Sequence, residues 1–439
     1  MLTLPEKDAD APEFLRALFD QAVASANPEN CIPQHLPEPP KGRTLLVAAG
    51  KAAASMARAV EKNWPADKPL SGTALTRYGH SIACNRIEVI EAAHPVPDNR
   101  GHEAASKLLV KVEQLGSDDL LLFLVSGGGS ALLALPAPGI SLEEKKSINK
   151  SLLMSGAPIG EMNTVRKHLS AIKGGRLAAA TAPARIVTLA ISDVPHDDPS
   201  TIASGPSVPD TTTSADAIEL LERYNIALPA SIRSHLESPA SATPKPGNPV
   251  FQNTKFVMVA TPSMMLESVV QDCRESDINV TTLGADIEGE SRNVAEEHAE
   301  LAINQAQGGK RGLILSGGET TVTVDGPAGR GGRNCEYLLA LAIALNEAQG
   351  IHAIAADTDG IDGSEDNAGA IIRPDTLSRA RDLGLDANAY LEAHDSYSFF
   401  ERLDDLIMTG PTRTNVNDFR AIWVSQRSAT TSDSSGHHQ

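Results

Sequence analysis

The chain has 439 residues, of which 41% are hydrophobic and 21% charged, a composition that excludes an intrinsically disordered protein. This length exceeds what a single hydrophobic core usually holds, so two domains are expected. Acidic residues outnumber basic ones by 56 to 38, and the net charge of -18 argues against a nucleic-acid partner. An anionic small-molecule partner would therefore need a local basic pocket.

The cysteines and the N-terminus indicate where the protein works. The four cysteines are scattered and form no CxxC pair, so neither a disulfide framework nor a structural zinc site is expected. The N-terminal sequence lacks a signal-peptide pattern, and no apolar run reaches the roughly 18 residues that span a bilayer. We expect a cytoplasmic protein that binds no membrane.

Short apolar runs alternate with amphipathic stretches in the first half of the chain. Ser141 and Glu144 form a capping box ahead of one such stretch. In chain order the pattern predicts a strand at 44–50, a helix ending near 61, a helix at 102–115, strands at 120–125 and 185–192, and a basic helix at 163–180 between them. Because the strands are apolar on both faces, they predict a parallel sheet covered by helices.

A change of composition separates the two halves. Residues 229–250 are rich in proline, serine and alanine, which predicts a linker. A second alternation follows, with strands at 255–260, 279–285 and 312–316 and helices at 263–276 and 290–306. We therefore expect a large N-terminal domain over 1–240, a smaller C-terminal domain over 250–425 and a disordered tail over 426–439.

Three consecutive glycines follow the strand predicted at 120–125. Gly127, Gly128 and Gly129 lie between Ser126 and Ser130. Glycines at the carboxyl end of a parallel strand can present backbone N–H groups to an anion, and the two serines add hydroxyl donors. A tight turn without a ligand is the alternative interpretation.

A similar pattern follows the strand predicted at 312–316. Ser316, Gly317 and Gly318 precede Glu319 and Thr320. One such pattern in each half of the chain predicts two glycine turns that face one cleft.

Cations concentrate at two places in this acidic chain. Lys51 directly follows a strand-ending glycine at the start of a helix, where the helix dipole disfavours a cation, so an anionic ligand competes with a solvated surface position as the explanation. Arg166, Lys173 and Arg176 share one face if the basic helix at 163–180 is unbroken. Anion recognition and ordinary surface charge both account for this cluster.

Polar loops supply further candidates. Asp193 follows a strand, where catalytic carboxylates stand in parallel-sheet enzymes. Arg333 and Asn334 follow a glycine-rich stretch, from which an arginine can hold a phosphate in a bidentate manner. The acidic loop at 355–370 does not match an EF-hand. We interpret it as a loop from which one carboxylate holds magnesium through water. Residues 408–419 are dense in short polar side chains, namely Thr409, Thr412, Thr414, Asn415, Asn417 and Asp418.

Nine of these stretches occur together and in a fixed order. They are AAGKAAASMA, AAHPVPDNRG, LVSGGGSALL, NTVRKHLSAIKGGRLA, ISDVPHDDPSTIASGP, LSGGETTV, GGRNCEYLLALA, AADTDGIDGSEDNAGA and GPTRTNVND. From about residue 12 to 424 the chain resembles the glycerate 2-kinases whose C-terminal half is called the MOFRL domain. Members of this family also carry the name hydroxypyruvate reductase.

The resemblance implies a large Rossmann-like N-terminal domain and a smaller α/β MOFRL domain, with a cleft between them. It implies phosphorylation of D-glycerate at its 2-hydroxyl by ATP with Mg²⁺. The family's essential lysine falls on Lys51, its arginine on Arg333 and the aspartate of its S-D-V motif on Asp193. Cys335 stands where the family usually has glutamine, and Arg413 lies in a segment that usually carries glycine, which puts substrate preference in doubt.

The expected roles follow from the needs of phosphoryl transfer, which are alignment and neutralisation of charge. The 126–130 loop would bind phosphate or the substrate carboxylate, Lys51 and Arg333 would balance the transferring group, and Asp193 would orient or deprotonate the hydroxyl. Asp359 or Glu319 would hold Mg²⁺. The other expected binding residues are Asn163, Arg166, Lys173, Ser316, Gly317, Gly318, Glu319, Thr320, Asn334, Thr409, Thr414, Asn415, Asn417 and Asp418.

Two other functions compete with the kinase. A reductase needs a nicotinamide site, and no G-x-G-x-x-G with an acidic residue some 20 positions on is present. A catalytically silent sensor of sugar acids would have no need of Lys51, Asp193 and Arg333 together. The pattern leaves open which short hydroxy acid is preferred and whether the chain forms a homodimer.

Overall fold

The computed structural model describes residues 3–425, which form two compact units. The N-terminal unit comprises Val23–Met265 and Pro411–Val416. The C-terminal unit comprises the described residues up to Ala22, Leu266–Gly410, and the described residues from Asn417. These bounds differ from the predicted 1–240 and 250–425, because the chain crosses between units more than once. The predicted tail at 426–439 lies outside the described residues.

The α-helices alternate with the strands as the periodicity predicts. None of the described helices is long and apolar enough to cross a membrane. The helices are α1 Ala11–Ser25, α2 Pro28–Cys31, α3 Ala53–Asn63, α4 Asn99–Val112, α5 Gly129–Leu132, α6 Leu142–Met154, α7 Ile159–His168, α8 Arg176–Thr181, α9 Ser214–Arg223, α10 Ala230–Leu236, α11 Pro262–Glu275, α12 Ser291–Gln307, α13 Arg333–Leu345, α14 Thr376–Asp382, α15 Ala387–Glu392 and α16 Ser396–Leu403.

The N-terminal unit is built on a parallel sheet of six strands, in the order β3-β2-β1-β4-β5-β6. Its strands are β1 Thr44–Ala49, β2 Leu70–Arg77, β3 Ile87–Ala92, β4 Leu120–Val125, β5 Arg185–Ile191 and β6 Thr254–Ala260. Every residue of the central strands β1 and β4 is buried, which explains their uninterrupted apolar sequence. The predicted parallel sheet is confirmed.

The predicted linker at 229–250 is wrong. The segment contains α10 and leads into β6, which pairs with β5 in the N-terminal sheet. Thr243 within it is buried and donates a hydrogen bond to Asp210 Oδ2 at 3.0 Å. The proline- and serine-rich segment is therefore packed within the N-terminal unit and is not a linker. Strand β6 belongs to the first sheet, although the sequence pattern placed it in the second.

The C-terminal unit has a mixed sheet in the order β11-β10-β9-β12-β8-β7, in which only β7 and β8 pair in parallel. Its strands are β7 Val280–Glu290, β8 Gly312–Thr321, β9 Ile351–Asp357, β10 Gly369–Ile372, β11 Leu406–Ile407 and β12 Asp418–Val424. Helix α1 belongs to this unit up to Ala22, and its aromatic rings pack on β12: Phe14 lies 5.1 Å from Trp423 and Phe19 lies 6.1 Å from Phe419, between ring centroids.

Candidate active site

The glycine loop, Ser126–Ser130, follows β4 in the N-terminal unit and leads into α5. Gly128 has a φ of +80°, and a Cβ on it would lie 2.9 Å from His94 Nε2. A Cβ on Gly127 would lie 1.7 Å from Asp193 Oδ2. Glycine is required at both positions, since the loop backbone lies directly against two titratable side chains.

Lys51 is attached to this loop through the backbone. Its N–H donates to the Gly127 carbonyl at 2.8 Å, and the N–H of Ala52 donates to Ser126 Oγ at 3.0 Å. Lys51 Cγ lies 3.5 Å from the position that a Cβ on Gly128 would occupy. The structure therefore brings Lys51 and the glycine loop together, and the buried Ser126 holds the turn that connects them.

Asp193 lies just beyond β5 and is held by a residue from the far end of the chain. The side-chain amide of Asn415 donates to Asp193 Oδ2 at 2.8 Å. Thr414 is buried and its hydroxyl donates to the Ala26 carbonyl at 2.7 Å, so its side chain anchors the 411–416 segment. Two predicted binding residues thus differ in their contacts. Asn415 contacts the candidate base, whereas the Thr414 side chain bonds to the backbone of Ala26.

A chain of hydrogen bonds extends from the glycine loop to α7. Lys173 Nζ donates to the hydroxyl and the carbonyl of Ser130, at 2.7 and 2.6 Å. Ser130 Oγ lies 2.9 Å from Ser204 Oγ, which donates to Asn163 Oδ1 at 3.1 Å. Arg166 donates to the same Asn163 oxygen at 3.4 Å. Burial, with the positive charge of nearby side chains, holds the pKa of Lys173 well below its usual value.

The basic helix predicted at 163–180 is not continuous. It is divided into α7, which ends at His168, and α8, which begins at Arg176 directly after Gly174 and Gly175, whose φ values are +58° and +79°. Arg166 and Lys173 nevertheless come together, since the break folds the chain back over the glycine loop. Arg176 points elsewhere and donates to the carbonyls of residues 241 and 242.

A cavity of about 550 Å³ opens between the loop at 94–97, the glycine loop and α6. Gly128, Ser130, Arg166 and Lys173 line it, so four of the residues singled out from the sequence share one space. A volume of this order is typical of small-molecule sites.

Several residues that line this cavity received no role from the sequence, and His94 and Lys145 are two of them. His94 contacts Gly128, and its motif was recognised only as part of the resemblance. Lys145 on α6 is only 3% exposed, and burial together with the charges of Arg166 and Arg176 lowers its pKa to about 7. A lysine just after a capping box is usually solvated, so no local signal distinguishes Lys145.

Arg333, at the start of α13 in the C-terminal unit, is surrounded by carboxylates. It donates to Asp418 at 2.9 and 3.0 Å, to Glu319 at 2.7 Å and to Asp357 at 2.9 Å. Burial disfavours the charged guanidinium, but these three carboxylates outweigh it and raise its pKa above the usual value. Arg333 is therefore held in one position by carboxylates, whereas the sequence predicted a phosphate as its partner.

Asp418 joins Arg333 to a second arginine. Arg420 donates to Asp418 Oδ2 at 2.7 Å, and Asn334 Nδ2 donates to Oδ1 at 2.8 Å. Asp362 accepts the N–H groups of Asn334 and Cys335 at 3.0 and 2.9 Å, which secures the first turn of α13. Asn334 and Asp418 are fully buried. Asn334 therefore fixes the carboxylate of Asp418, which in turn accepts hydrogen bonds from Arg333.

The second glycine turn predicted at 316–320 is wrong. Strand β8 continues to Thr321, and Gly318, at φ +102°, lets the backbone of β7 approach: a Cβ there would lie 2.2 Å from the Ile287 carbonyl oxygen. Ser316 and Thr320 are buried within the strand, whereas Glu319 is 46% exposed and reaches Arg333.

The remaining candidates lie in loops of the C-terminal unit. Asn417 accepts two hydrogen bonds from Thr358 through its carbonyl, at 3.1 and 2.7 Å. Asp359 is buried and accepts the Ile361 N–H at 2.9 Å. The hydroxyl of Thr409 donates to the Gly410 carbonyl at 2.7 Å. Asn417 and Thr409 therefore shape the loop backbone.

The two departures from the family pattern differ in their surroundings. Cys335 is fully buried, its sulfur accepts from Asn367 at 3.2 Å, and burial raises its pKa well above the usual value, so it is an inert core thiol. Arg413 has a φ of +65°, a conformation that glycine adopts without strain.

Comparisons with known proteins match both halves of the chain. Residues 14–237 match a family model described as a domain of unknown function, DUF4147, and residues 312–418 match the MOFRL family. A protein of Agrobacterium vitis named "Putative hydroxypyruvate reductase" is 51% identical over 95% of either chain. A D-glycerate 2-kinase of Thermotoga maritima is 38% identical, over 93% of this chain and 98% of its own.

The fold agrees with these matches. A crystal structure of a glycerate kinase from Thermotoga maritima is similar to the chain with a TM-score of 0.88 and 35% identity. The alignment covers 95% of this chain and all of the other.

Proposed function

The chain belongs to the family of glycerate 2-kinases that carry a C-terminal MOFRL domain, and from this premise we propose that it transfers a phosphoryl group from ATP to the 2-hydroxyl of D-glycerate. The cations around the glycine loop support this proposal most directly. Lys51, Lys145, Arg166 and Lys173 lie near one loop in a chain whose net charge is -18. Such a concentration of positive charge suits an enzyme whose reactants are a polyphosphate and a carboxylate.

Asp193 is proposed to orient or deprotonate the 2-hydroxyl of glycerate. A general base must keep a fixed geometry, and the Asn415 amide and the close backbone of Gly127 constrain this carboxylate. The oxygen of the hydroxyl then attacks the terminal phosphorus of ATP, the bond to ADP breaks, and the hydroxyl proton passes to Asp193. The products are 2-phosphoglycerate and ADP.

Lys51 and Arg333 are proposed to balance the charge on the transferring group, a role that for Arg333 rests on its family motif. Arg333 already has three carboxylate partners, so it would have to exchange one of them for a phosphate oxygen. Glu319 is the partner to be exchanged, because it is partly exposed while Asp357 and Asp418 are buried.

Mg²⁺ would neutralise the phosphates of bound ATP. Among residues 3–425, no group of three or more His, Cys, Asp or Glu side chains could hold a metal ion. This agrees with an ion that arrives with the nucleotide and adds only one or two protein carboxylates. Asp359 and Glu319 remain the proposed ligands, and both carry oxygen donors that suit Mg²⁺.

A reductase acting on hydroxypyruvate is the second candidate, because relatives at 51 and 49% identity carry that name. The turn between β1 and α3 has a single glycine, Gly50, where a dinucleotide fingerprint has three. We therefore favour the kinase.

The two functions are separated by two assays on the same preparation. Incubation with D-glycerate, ATP and Mg²⁺ should release ADP, and ³¹P NMR should show 2-phosphoglycerate as the product. Incubation with hydroxypyruvate and NADH or NADPH should leave the cofactor reduced. Cofactor oxidation without ADP release would reverse the assignment, and 3-phosphoglycerate as the product would correct the hydroxyl.

A further inference from the structure

The cavity beside the glycine loop is too large for the acid substrate alone. A three-carbon acid fills only a small part of about 550 Å³ and offers no apolar surface. The cavity differs along its depth. Lys145 and Lys173 are 3% and 1% exposed at its inner end, whereas Val96 and Leu153 are 59% and 61% exposed at its rim.

The charge of the lining favours a polyanion. Five cationic side chains and one carboxylate line the cavity: Lys145, Lys146, Lys150, Arg166, Lys173 and Glu143. The carboxylate of Glu143 pairs with Lys146 at 2.9 Å, so the buried cations have no lining carboxylate of their own. A buried lysine either loses its proton, as the lowered pKa values of Lys145 and Lys173 indicate, or keeps its charge beside an anionic ligand, so an anion in this cavity would be bound by both.

We propose that this cavity binds the nucleoside triphosphate, with the base against Val96, Pro97 and Leu153 and the phosphates against Lys145, Arg166 and Lys173. This assignment deepens the proposed function and rests on it. Base and phosphates differ in polarity in the same way as the rim and the inner end of the cavity. The terminal phosphate then lies at the glycine loop, since Gly128 lines the cavity and also packs against Lys51.

The rim is tested with two neighbouring exposed residues of α6. Leu153 lines the cavity, whereas Met154, 78% exposed, does not. In Leu153→Glu, the KM for ATP and the Kd of N-methylanthraniloyl-ADP should each rise about tenfold, with the KM for D-glycerate nearly unchanged, because the carboxylate removes an apolar contact with the base and repels the phosphates. Met154→Glu adds the same charge one residue away and should change neither constant.

The inner end is tested with Lys145→Met and Lys145→Arg. The methionine variant should weaken binding of the fluorescent nucleotide more than tenfold, and arginine should restore part of it, since phosphate binding requires the charge. If the methionine variant fails to fold, Leu153→Glu alone decides, because its side chain is exposed.

The outcomes separate this inference from the proposed function. An active glycerate kinase whose Leu153→Glu variant raises only the KM for glycerate would assign the cavity to the acid and overturn the inference. An unchanged KM for ATP and an unchanged Kd of the fluorescent nucleotide in both Leu153→Glu and Lys145→Met would also overturn it. Wild-type protein that binds the fluorescent nucleotide, loses it in Leu153→Glu and phosphorylates no glycerate would support the inference and contradict the proposed function. A wild-type protein that binds no nucleotide contradicts both.

Discussion

The side-chain amide of Asn415 donates a hydrogen bond to Asp193 Oδ2 at 2.8 Å, although 222 positions separate the two residues in the chain. The segment 411–416 leaves the C-terminal unit to make this contact within the N-terminal one. Reacting groups in enzymes are typically held in a fixed orientation by a second residue, and Asn415 holds Asp193 in this way.

Asp193→Asn should lower kcat by about 100- to 10,000-fold, because an amide cannot accept the hydroxyl proton. Asn415→Ala should cost about 10- to 100-fold, since the base remains but loses its orientation. Steady-state kinetics with ATP and D-glycerate measure both. Asp382→Asn, an exposed change of the same type on α14, is the control and should match the wild type. Full activity of Asp193→Asn would remove the proposed base.

Lys51→Ala should lower kcat by about 100- to 1000-fold, the usual effect of losing one preorganised charge contact in the transition state. The fold should persist, because the hydrogen bond that joins Lys51 to the glycine loop is donated by its backbone N–H. Lys62→Ala, at the other end of α3, removes an exposed ion pair with Glu29 and should leave kcat unchanged. Equal rates in the two variants would contradict the role of Lys51.

Arg333→Met should destabilise the protein by about 3–5 kcal/mol, because it removes the cation shared by two buried carboxylates, Asp357 and Asp418, of which Asp418 still pairs with Arg420. Urea denaturation measures this loss. The double variant Arg333→Met/Asp357→Asn should regain part of the stability, since it also removes the negative charge of one of the two buried carboxylates. A fully stable single variant would contradict the electrostatic account, and any kinetic effect of Arg333 must be measured on folded protein.

Lys145 should make stability depend on pH in a defined direction. Its pKa falls from 10.5 to about 7 on folding, so the unfolded chain binds the extra proton between these values and stability rises with pH across that window. The charged groups that lower the pKa of Lys145 are Arg166 and Arg176, and the charge of Lys145 in turn lowers the pKa of Lys173.

Lys145→Met should therefore raise the melting temperature at pH 6 by more than it does at pH 9, with a gain on the order of a few kcal/mol at the lower pH. Lys107→Met, an exposed change on α4, should show no such trend. A pH-independent difference between Lys145→Met and the wild type would mean that packing, and not charge, explains the effect.

Arg413→Gly should raise the free energy of unfolding by about 0.5–1 kcal/mol, because Arg413 has a φ of +65°, where a Cβ is strained. The backbone contact of this residue, in which Ser55 donates to its carbonyl at 2.6 Å, is kept. Arg413→Ala retains the Cβ and should show no gain in urea denaturation. Equal gains in both variants would attribute the effect to the side chain instead.

Local patterns determined the elements of this protein. The apolar runs of β1, β4 and β5 and the capping box of Ser141 and Glu144 appear where they were predicted, because an uninterrupted apolar run and a helix cap can both be read from neighbouring residues. The order of nine motifs identified the family, and the glycines after β4 located a loop where only glycine fits.

Tertiary structure decided which of these elements meet. Whether β6 joins the first sheet, whether β8 runs through its glycines, and whether Lys145 is buried depend on partners far along the chain, which no local pattern specifies. Arg166 and Lys173 share a cavity because the helix between them breaks, the reverse of the predicted reason. The sequence specifies which chemical groups are present and which helices and strands carry them. Which of these groups come together depends on long-range packing, which is a property of the whole fold.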